Sequence, residues 1–189
     1  MMEMATLEAF RFTADWFSEN IPVWQNYLGE LAGRPHATFL EIGVYEGRAT
    51  VWLLGNILTH QTATIDCIDP FLVPGIEENF DHNIRTAGTV GKVHKLKGLS
   101  QEVIRGLQLN HYDTVYVDGS HTAPDVLADA VLAFDTLKPG GIMIFDDYGW
   151  RYRQDPWLEP KLAIDAFLNI YQRKLQLLHK AHQVLIKKL

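Results

Sequence analysis

Tyr112-Asp113-Thr114-Val115-Tyr116-Val117-Asp118-Gly119-Ser120-His121 and Gly141-Ile142-Met143-Ile144-Phe145-Asp146-Asp147-Tyr148 decide how this chain is read. Each is a β-branched and aromatic run that stops at carboxylates, and one helix-length stretch, from Pro124 to Leu137, lies between them. That order is a βαβ unit, which makes the two strands parallel and adjacent and brings both acidic tips out at the same sheet edge. Neighbouring strands lie only about 4.8 Å apart. Carboxylates gathered that closely repel one another unless a cation or a donor-rich ligand holds them. Asp118, Asp146 and Asp147 therefore read as a hard-metal site with His121 beside it. The plainer alternative is a turn begun by Asp118 and a cap supplied by Asp146.

Working outward, strands alternate with helices. Strands are predicted over residues 38–42, 64–68, 93–96, 114–117 and 142–145, and helices over 49–58, 77–87, 101–107, 124–137 and 161–171. Gly43, Gly98 and Gly119 follow strands, while Lys138-Pro139-Gly140-Gly141 stops a helix and turns the chain into the next strand. Residues 174–178 and 183–189 read as two more strands, and the few residues between them, around Lys180-Ala181-His182, leave room only for an antiparallel hairpin. The fold class is α/β: a Rossmann-like, doubly wound, mostly parallel seven-stranded sheet ending in an antiparallel β-hairpin. Two short amphipathic segments, residues 7–17 and 23–31, precede the first strand and are separated by Asn20-Ile21-Pro22. The chain is thus expected to form one domain over residues 1–189, with a helical cap at 1–36 and the core at 37–189.

Composition narrows the class of partner. A chain of 189 residues with 47% hydrophobic and 21% charged residues is an ordinary globular length and composition. A formal charge of -6, with no basic cluster beyond Lys187-Lys188, argues against a nucleic-acid surface and for small-molecule partners. Cys67 is the only cysteine and sits in an apolar strand pattern, as a buried inert thiol in a reducing cytoplasm would. No stretch reaches the roughly 18 apolar residues that a membrane span needs, so no membrane partner is expected.

Glu41-Ile42-Gly43-Val44-Tyr45-Glu46-Gly47-Arg48-Ala49-Thr50 joins the first strand to the first core helix. Gly43 allows positive φ and close approach of a ligand to the main chain, and Gly47 eases the helix start. Tyr45 stands where a dinucleotide fingerprint has its middle glycine, and Glu41 would repel phosphate but accept from an amine, so the turn suits a cationic, phosphate-free nucleoside; a plain tight turn is the alternative. Asp69, at the tip of the second strand, is placed to hold both hydroxyls of a ribose, whereas Asp66 lies inside that strand as a partnered structural acid. Ser100 is a natural helix N-cap, a role compatible with ligand contact through backbone amides.

On these residues the chain resembles class I S-adenosylmethionine-dependent methyltransferases from Phe39 to Leu189. The carrying features are the 41–47 turn, Asp69, Gly98-Leu99-Ser100-Gln101, Asp118-Gly119-Ser120-His121, Lys138-Pro139-Gly140-Gly141 and the closing hairpin. Within that superfamily it is most similar to small bacterial methyltransferases with Asp-Gly-x-His and Asp-Asp-Tyr strand ends, and in layout to catechol-type and macrocin-type O-methyltransferases. The resemblance implies that Glu41, Gly43 and Tyr45 line the methionine part of the cofactor, Asp69 its ribose, and Ser100 with Gln101 its adenine, with Gly47 also counted in the cofactor-binding turn. It implies that Asp118, also beside the cofactor, holds a divalent cation such as Mg²⁺ with Asp146 and Asp147. His121 falls where the catechol type has a general-base lysine, and Asp147 where it has asparagine; both are departures.

The reaction then expected is metal-assisted O-methylation of a small-molecule hydroxyl. A cation would lower the pKa of the acceptor, and of His121, leaving a neutral imidazole to take the proton as activity rises with pH. Asp118 is the other candidate for activating the nucleophile; for His121 the alternative is a loop residue bonded to the backbone. The aromatic stretch from Tyr148 to Trp157 reads as a wall for a cyclic acceptor, with an ordinary packed loop or a homodimer contact as alternatives. The rival functions are a nicotinamide-dependent oxidoreductase, which the missing glycine and the hairpin disfavour, and a non-catalytic S-adenosylmethionine-binding protein, which leaves the metal acids without purpose.

Overall fold

A computed structural model describes residues 9–151 and 155–189. Its centre is a seven-stranded sheet in the order β3-β2-β1-β4-β5-β7-β6, formed by β1 (Thr38–Ile42), β2 (Thr64–Asp69), β3 (Val93–Lys97), β4 (Tyr112–Val117), β5 (Leu137–Phe145), β6 (Leu175–Lys180) and β7 (Val184–Lys188). The first five strands pair in parallel, and β7 runs antiparallel to both β5 and β6. Strand side chains alternate between the two faces, and both faces are buried. Phe39, Tyr116 and Ile144 join one core cluster, with residues of α1 (Ile21–Leu28), α2 (Arg48–Asn56) and α3 (Ile76–Thr86). Leu40, Val115, Val117, Met143 and Phe145 join the other, with α5 (Ala123–Thr136) and α6 (Pro160–Tyr171). The chain runs outward from β1 to β3 on one side and continues from β4 on the other, so the carboxyl ends of β1 and β4 flank the switch point where such sheets bind ligands.

Several boundaries differ from expectation. The Lys138-Pro139-Gly140-Gly141 stretch is part of β5, which starts directly at the end of α5. Leu137 pairs with Tyr112 and Ile142 with Thr114, so the intervening residues bulge from the ladder. Gly140 takes φ +79° there, and a Cβ on Gly141 would lie 2.9 Å from the Lys138 carbonyl oxygen and 3.0 Å from that of Asp113. The bulge delivers the Lys138 ammonium to the Asp113 carboxylate at 2.9 Å. Helix α1 begins at Ile21 with Pro22 in its first turn, a position where proline's missing N–H costs nothing. Of the first N-terminal segment, the part from Arg11 to Phe17 holds no regular helix, so among the described residues one α-helix, α1, precedes the first strand and an irregular strap leads into it. Helix α4 (Ser100–Val103) is a single turn continued by a 3₁₀ turn at Ile104–Gly106.

Asp66 is the partnered structural acid anticipated: it accepts from the Tyr112 hydroxyl and lies 2.7 Å from His94 Nδ1. Cys67 is fully buried, and burial holds its thiol well above the usual thiol range. Among the described residues no helix is long and apolar enough to cross a membrane.

Candidate active site

The turn after β1 is built by backbone conformation. Gly43 takes φ +82°, and a Cβ on it would lie 2.0 Å from the Asp118 carbonyl oxygen, so only glycine lets the tips of β1 and β4 abut. Gly47, at φ +77°, starts α2 with its α-carbon against Phe80. Tyr45 adopts φ +50°, a strained value for a non-glycine residue. Asp69 fastens this turn to β2: Oδ2 accepts from the amides of Val44 (3.0 Å) and Tyr45 (3.1 Å), and Oδ1 from that of Phe71 (2.7 Å). A carboxylate offers about four lone-pair sites, so three amides leave about one over. Holding the turn is thus a job of Asp69 that residue type alone did not show.

Glu41 is buried and accepts a 2.7 Å hydrogen bond from the Thr50 hydroxyl. Burial pushes its carboxyl up to about 8, with the Thr50 bond opposing and the Asp69 charge adding to the rise. A cavity of about 690 Å³ opens beside these groups. Glu41, Gly43, Tyr45 and Asp69 line it together with Ser100, Gln101, Asp118 and His121. Gly47 does not line it. The volume is ordinary for a small-molecule or cofactor site. Ser100 is not a cap: Leu99 occupies the cap position, and the Ser100 hydroxyl donates to Asp129 Oδ1 at 2.7 Å. Gln101 donates to Asp125 Oδ1 at 3.1 Å. One wall comes from the irregular strap, whose Ala14, Trp16 and Phe17 face the cavity. The buried Glu46 carboxylate pins it by accepting from the Thr13 amide (2.6 Å) and hydroxyl (3.0 Å).

The acidic tips converge as their parallel pairing requires. The Tyr116 hydroxyl sits between Asp118 Oδ2, at 2.9 Å, and Asp146 Oδ2. A phenol has one proton, so it serves only one of these carboxylates at a time; Asp146 also accepts from the Asp147 amide at 2.8 Å. Burial, then the Asp146 and Asp147 charges, hold the Asp118 carboxyl well above the usual range, and burial also raises that of Asp146. Asp147 takes φ +58° and its Oδ2 lies 2.8 Å from His121 Nε2. That contact raises the His121 pKa against the opposing effect of burial, the opposite sense to the shift anticipated from a neighbouring cation. The donor set fits a divalent cation: clustered carboxylate oxygens whose pKa values are raised by burial and by one another are what a hard ion would relieve.

Four residues of this end were not singled out from the sequence. Tyr116 had a signal, since alternation puts it on the face of Asp118. Gln183 donates to Asp146 Oδ2 at 3.0 Å and accepts from the buried Trp24 indole at 2.9 Å. His182 Nδ1 lies 3.6 Å from Asp146 Oδ1. The last three meet only through tertiary packing. Of the expected acceptor wall, Tyr152, Arg153 and Gln154 lie outside the described residues. Trp150 packs on the His121 ring at 4.8 Å between centroids, whereas Tyr148 is tied to α6 through a 3.0 Å bond to Asp165.

A doubly wound sheet with the β5-β7-β6 order, a glycine turn after β1 and an acid at the tip of β2 defines a class I S-adenosylmethionine-dependent methyltransferase. The methyltransferase-domain family matches residues 40–148, more than half of the chain, and the chain belongs to that family. An uncharacterised protein of Acanthamoeba polyphaga mimivirus is 30% identical over 128 residues, which are 65% of this chain but only 56% of that protein. The crystal structure of an O-methyltransferase from Bacillus cereus in complex with S-adenosylhomocysteine superposes with a TM-score of 0.70 at 16% identity, over 94% of this chain and 84% of that one. MycE methyltransferase from the mycinamycin biosynthetic pathway, in complex with Mg, S-adenosylhomocysteine and mycinamycin VI, gives 0.64 at 15% identity, over 93% of this chain and 50% of that one. At such identities the two structures show a shared fold.

Proposed function

We propose that this methyltransferase transfers the methyl group of S-adenosylmethionine to a hydroxyl of a small molecule, assisted by a divalent cation on Asp118, Asp146 and Asp147. The observation that carries the reading is the double membership of Asp118, which lines the cavity and faces Asp146 across the Tyr116 hydroxyl. Cofactor and acceptor would therefore meet at one residue. The O-methyltransferase and Mg-bound proteins of the same fold support the reading.

Glu41 accepts the ammonium of the methionine moiety, Asp69 offers its remaining lone pair to the ribose, and Ser100 and Gln101 border the adenine. The methyl carbon leaves sulfur as it bonds to the acceptor oxygen, and the acceptor's proton goes to His121. Sulfonium is a good leaving group, so the protein's task is alignment and deprotonation. A bound cation supplies charge that lowers the acceptor hydroxyl's pKa and holds it in place. Asp147 keeps the imidazole of His121 at the acidic tips, and the Trp150 ring packs against it.

Calorimetry with S-adenosylhomocysteine and then with Mg²⁺ tests the reading. Binding of both is expected, with Asp118→Asn losing the cation while the fold persists. A folded protein that ignores the cofactor sinks the whole reading; one that binds the cofactor without any divalent cation sinks the metal-assisted part.

A further inference from the structure

The hairpin turn between β6 and β7 contributes side chains to the acidic site. Antiparallel pairing of Phe145 with Val184 sets the residues just beyond the end of β5 beside those just before β7. Gln183 and His182 both reach Asp146 from that turn, on opposite oxygens. The backbone of the turn is held from two directions: Gly149 N–H donates to the His182 carbonyl at 3.2 Å, and Ala181 N–H to that of Gln183 at 2.9 Å. Gly149 also leaves room for the imidazole, since a Cβ there would lie 3.3 Å from both Cα and Cδ2 of His182. The ring is thus positioned by its backbone, although its side chain is 60% exposed.

The two histidines of the site stand differently to the carboxylates. His121 Nε2 is 2.8 Å from Asp147 Oδ2, a direct hydrogen bond. His182 Nδ1 is 3.6 Å from Asp146 Oδ1, too far for one. Ligand atoms bound at about 2.1 Å around an octahedral ion stand about 3.0 Å from one another when adjacent and about 4.2 Å when opposite, so the second separation lies within the reach of two groups that share an ion, and no hydrogen bond already accounts for it. Ligand atoms of Asp146, Asp147 and His182 lie within 4.8 Å of one another, as do those of Asp118, His121 and Asp147. Asp147 belongs to both groups.

We infer that His182 is a ligand of the cation centre, leaving His121 free as the base, and that its imidazole turns the centre toward a borderline metal such as Mn²⁺ or Co²⁺ in preference to Mg²⁺. Carboxylate oxygens alone suit hard ions, whereas an imidazole adds affinity that rises from Mn²⁺ through Co²⁺. The inference rests on the cation assigned to Asp118, Asp146 and Asp147 above.

The test uses the full chain saturated with S-adenosylhomocysteine, titrated with Mn²⁺ and observed by electron paramagnetic resonance, with Mg²⁺ as competitor. Mn²⁺ is expected to bind at least about tenfold more tightly than Mg²⁺, and pulsed spectra should show coupling to an imidazole nitrogen. His182→Gln should lose that coupling and weaken Mn²⁺ by about tenfold or more, while His121→Gln retains it. Bound Mn²⁺ without nitrogen coupling, or coupling that survives in His182→Gln, overturns this inference and leaves the carboxylate site standing. Failure of any divalent ion to bind removes both.

Discussion

The two halves of the site are made by different means. On the β1–β2 side the work is done by backbone: Gly43 and Gly47 at positive φ, and three amides converging on Asp69. On the β4–β5 side it is done by charge: Asp118 and Asp146 share one phenolic proton, and burial holds both carboxyls above their usual range. The first half needs no added charge, because three amides already hold Asp69 and leave about one lone pair for a ligand. The second is short of positive charge. The contrast shows where the fold alone makes a site and where a ligand must finish one, and it gives each half its own experimental signature.

The largest effect expected is on the charged half alone. Asp146→Asn, or removal of divalent cations by a chelator, should abolish methyl transfer to a screened hydroxyl acceptor and leave S-adenosylhomocysteine affinity intact by calorimetry. Full activity of Asp146→Asn without any cation would erase the distinction between the halves. His121→Gln comes next, with a loss of roughly 10²- to 10⁴-fold in rate, as removal of a general base typically costs. Its cofactor affinity should not move. A rate within a few-fold of the parent protein would return His121 to a structural role bonded to Asp147. On the backbone-built half, Asp69→Ala should weaken S-adenosylhomocysteine by about one to two decades. An unpaired buried polar group costs about 1–3 kcal/mol, and here the Val44 and Tyr45 amides lose their acceptor along with the ribose. An unchanged dissociation constant would show that the turn needs no fastening.

The same contrast explains what could be read in advance. The parallel alternation was legible because each strand and helix carries its own period, and β1, β2 and α5 fall within a residue or so of expectation. Charges at strand tips were legible because strand order places them. Groups arriving from the hairpin were not: β7 inserts between β5 and β6, and only that pairing sets His182 and Gln183 beside Asp146. The start of β5 was hidden for a similar reason, since a bulge is defined by its partner and Leu137 finds Tyr112 across the ladder. Ser100 has every local mark of a cap, yet a buried carboxylate on α5 takes its hydroxyl. Local chemistry was outvoted wherever a distant charge offered a better partner.

The smallest effect expected is a proton count, and it concerns one titratable group within the backbone-built half. Glu41 has a carboxyl raised from 4.5 to about 8 by burial, so near pH 7 the ligand-free protein holds it mostly protonated. The unfolded chain does not, and it binds fewer protons between those two values. Stability contributed by this group is therefore lost as pH climbs toward 8, at up to about 1.4 kcal/mol per pH unit; Glu41→Gln should flatten that slope in urea denaturation. An ammonium arriving beside Glu41 favours the ionised form, so S-adenosylhomocysteine binding at pH 7 should release up to one proton. Titration calorimetry in buffers of different ionisation enthalpy reads this directly. Release that vanishes in Glu41→Gln assigns the methionine end of the cofactor to Glu41. Release that persists unchanged in the variant would move the proton to another group, with Asp118, whose raised carboxyl also lines the cavity, the first candidate, and would mean that cofactor binding already draws on the charged half of the site.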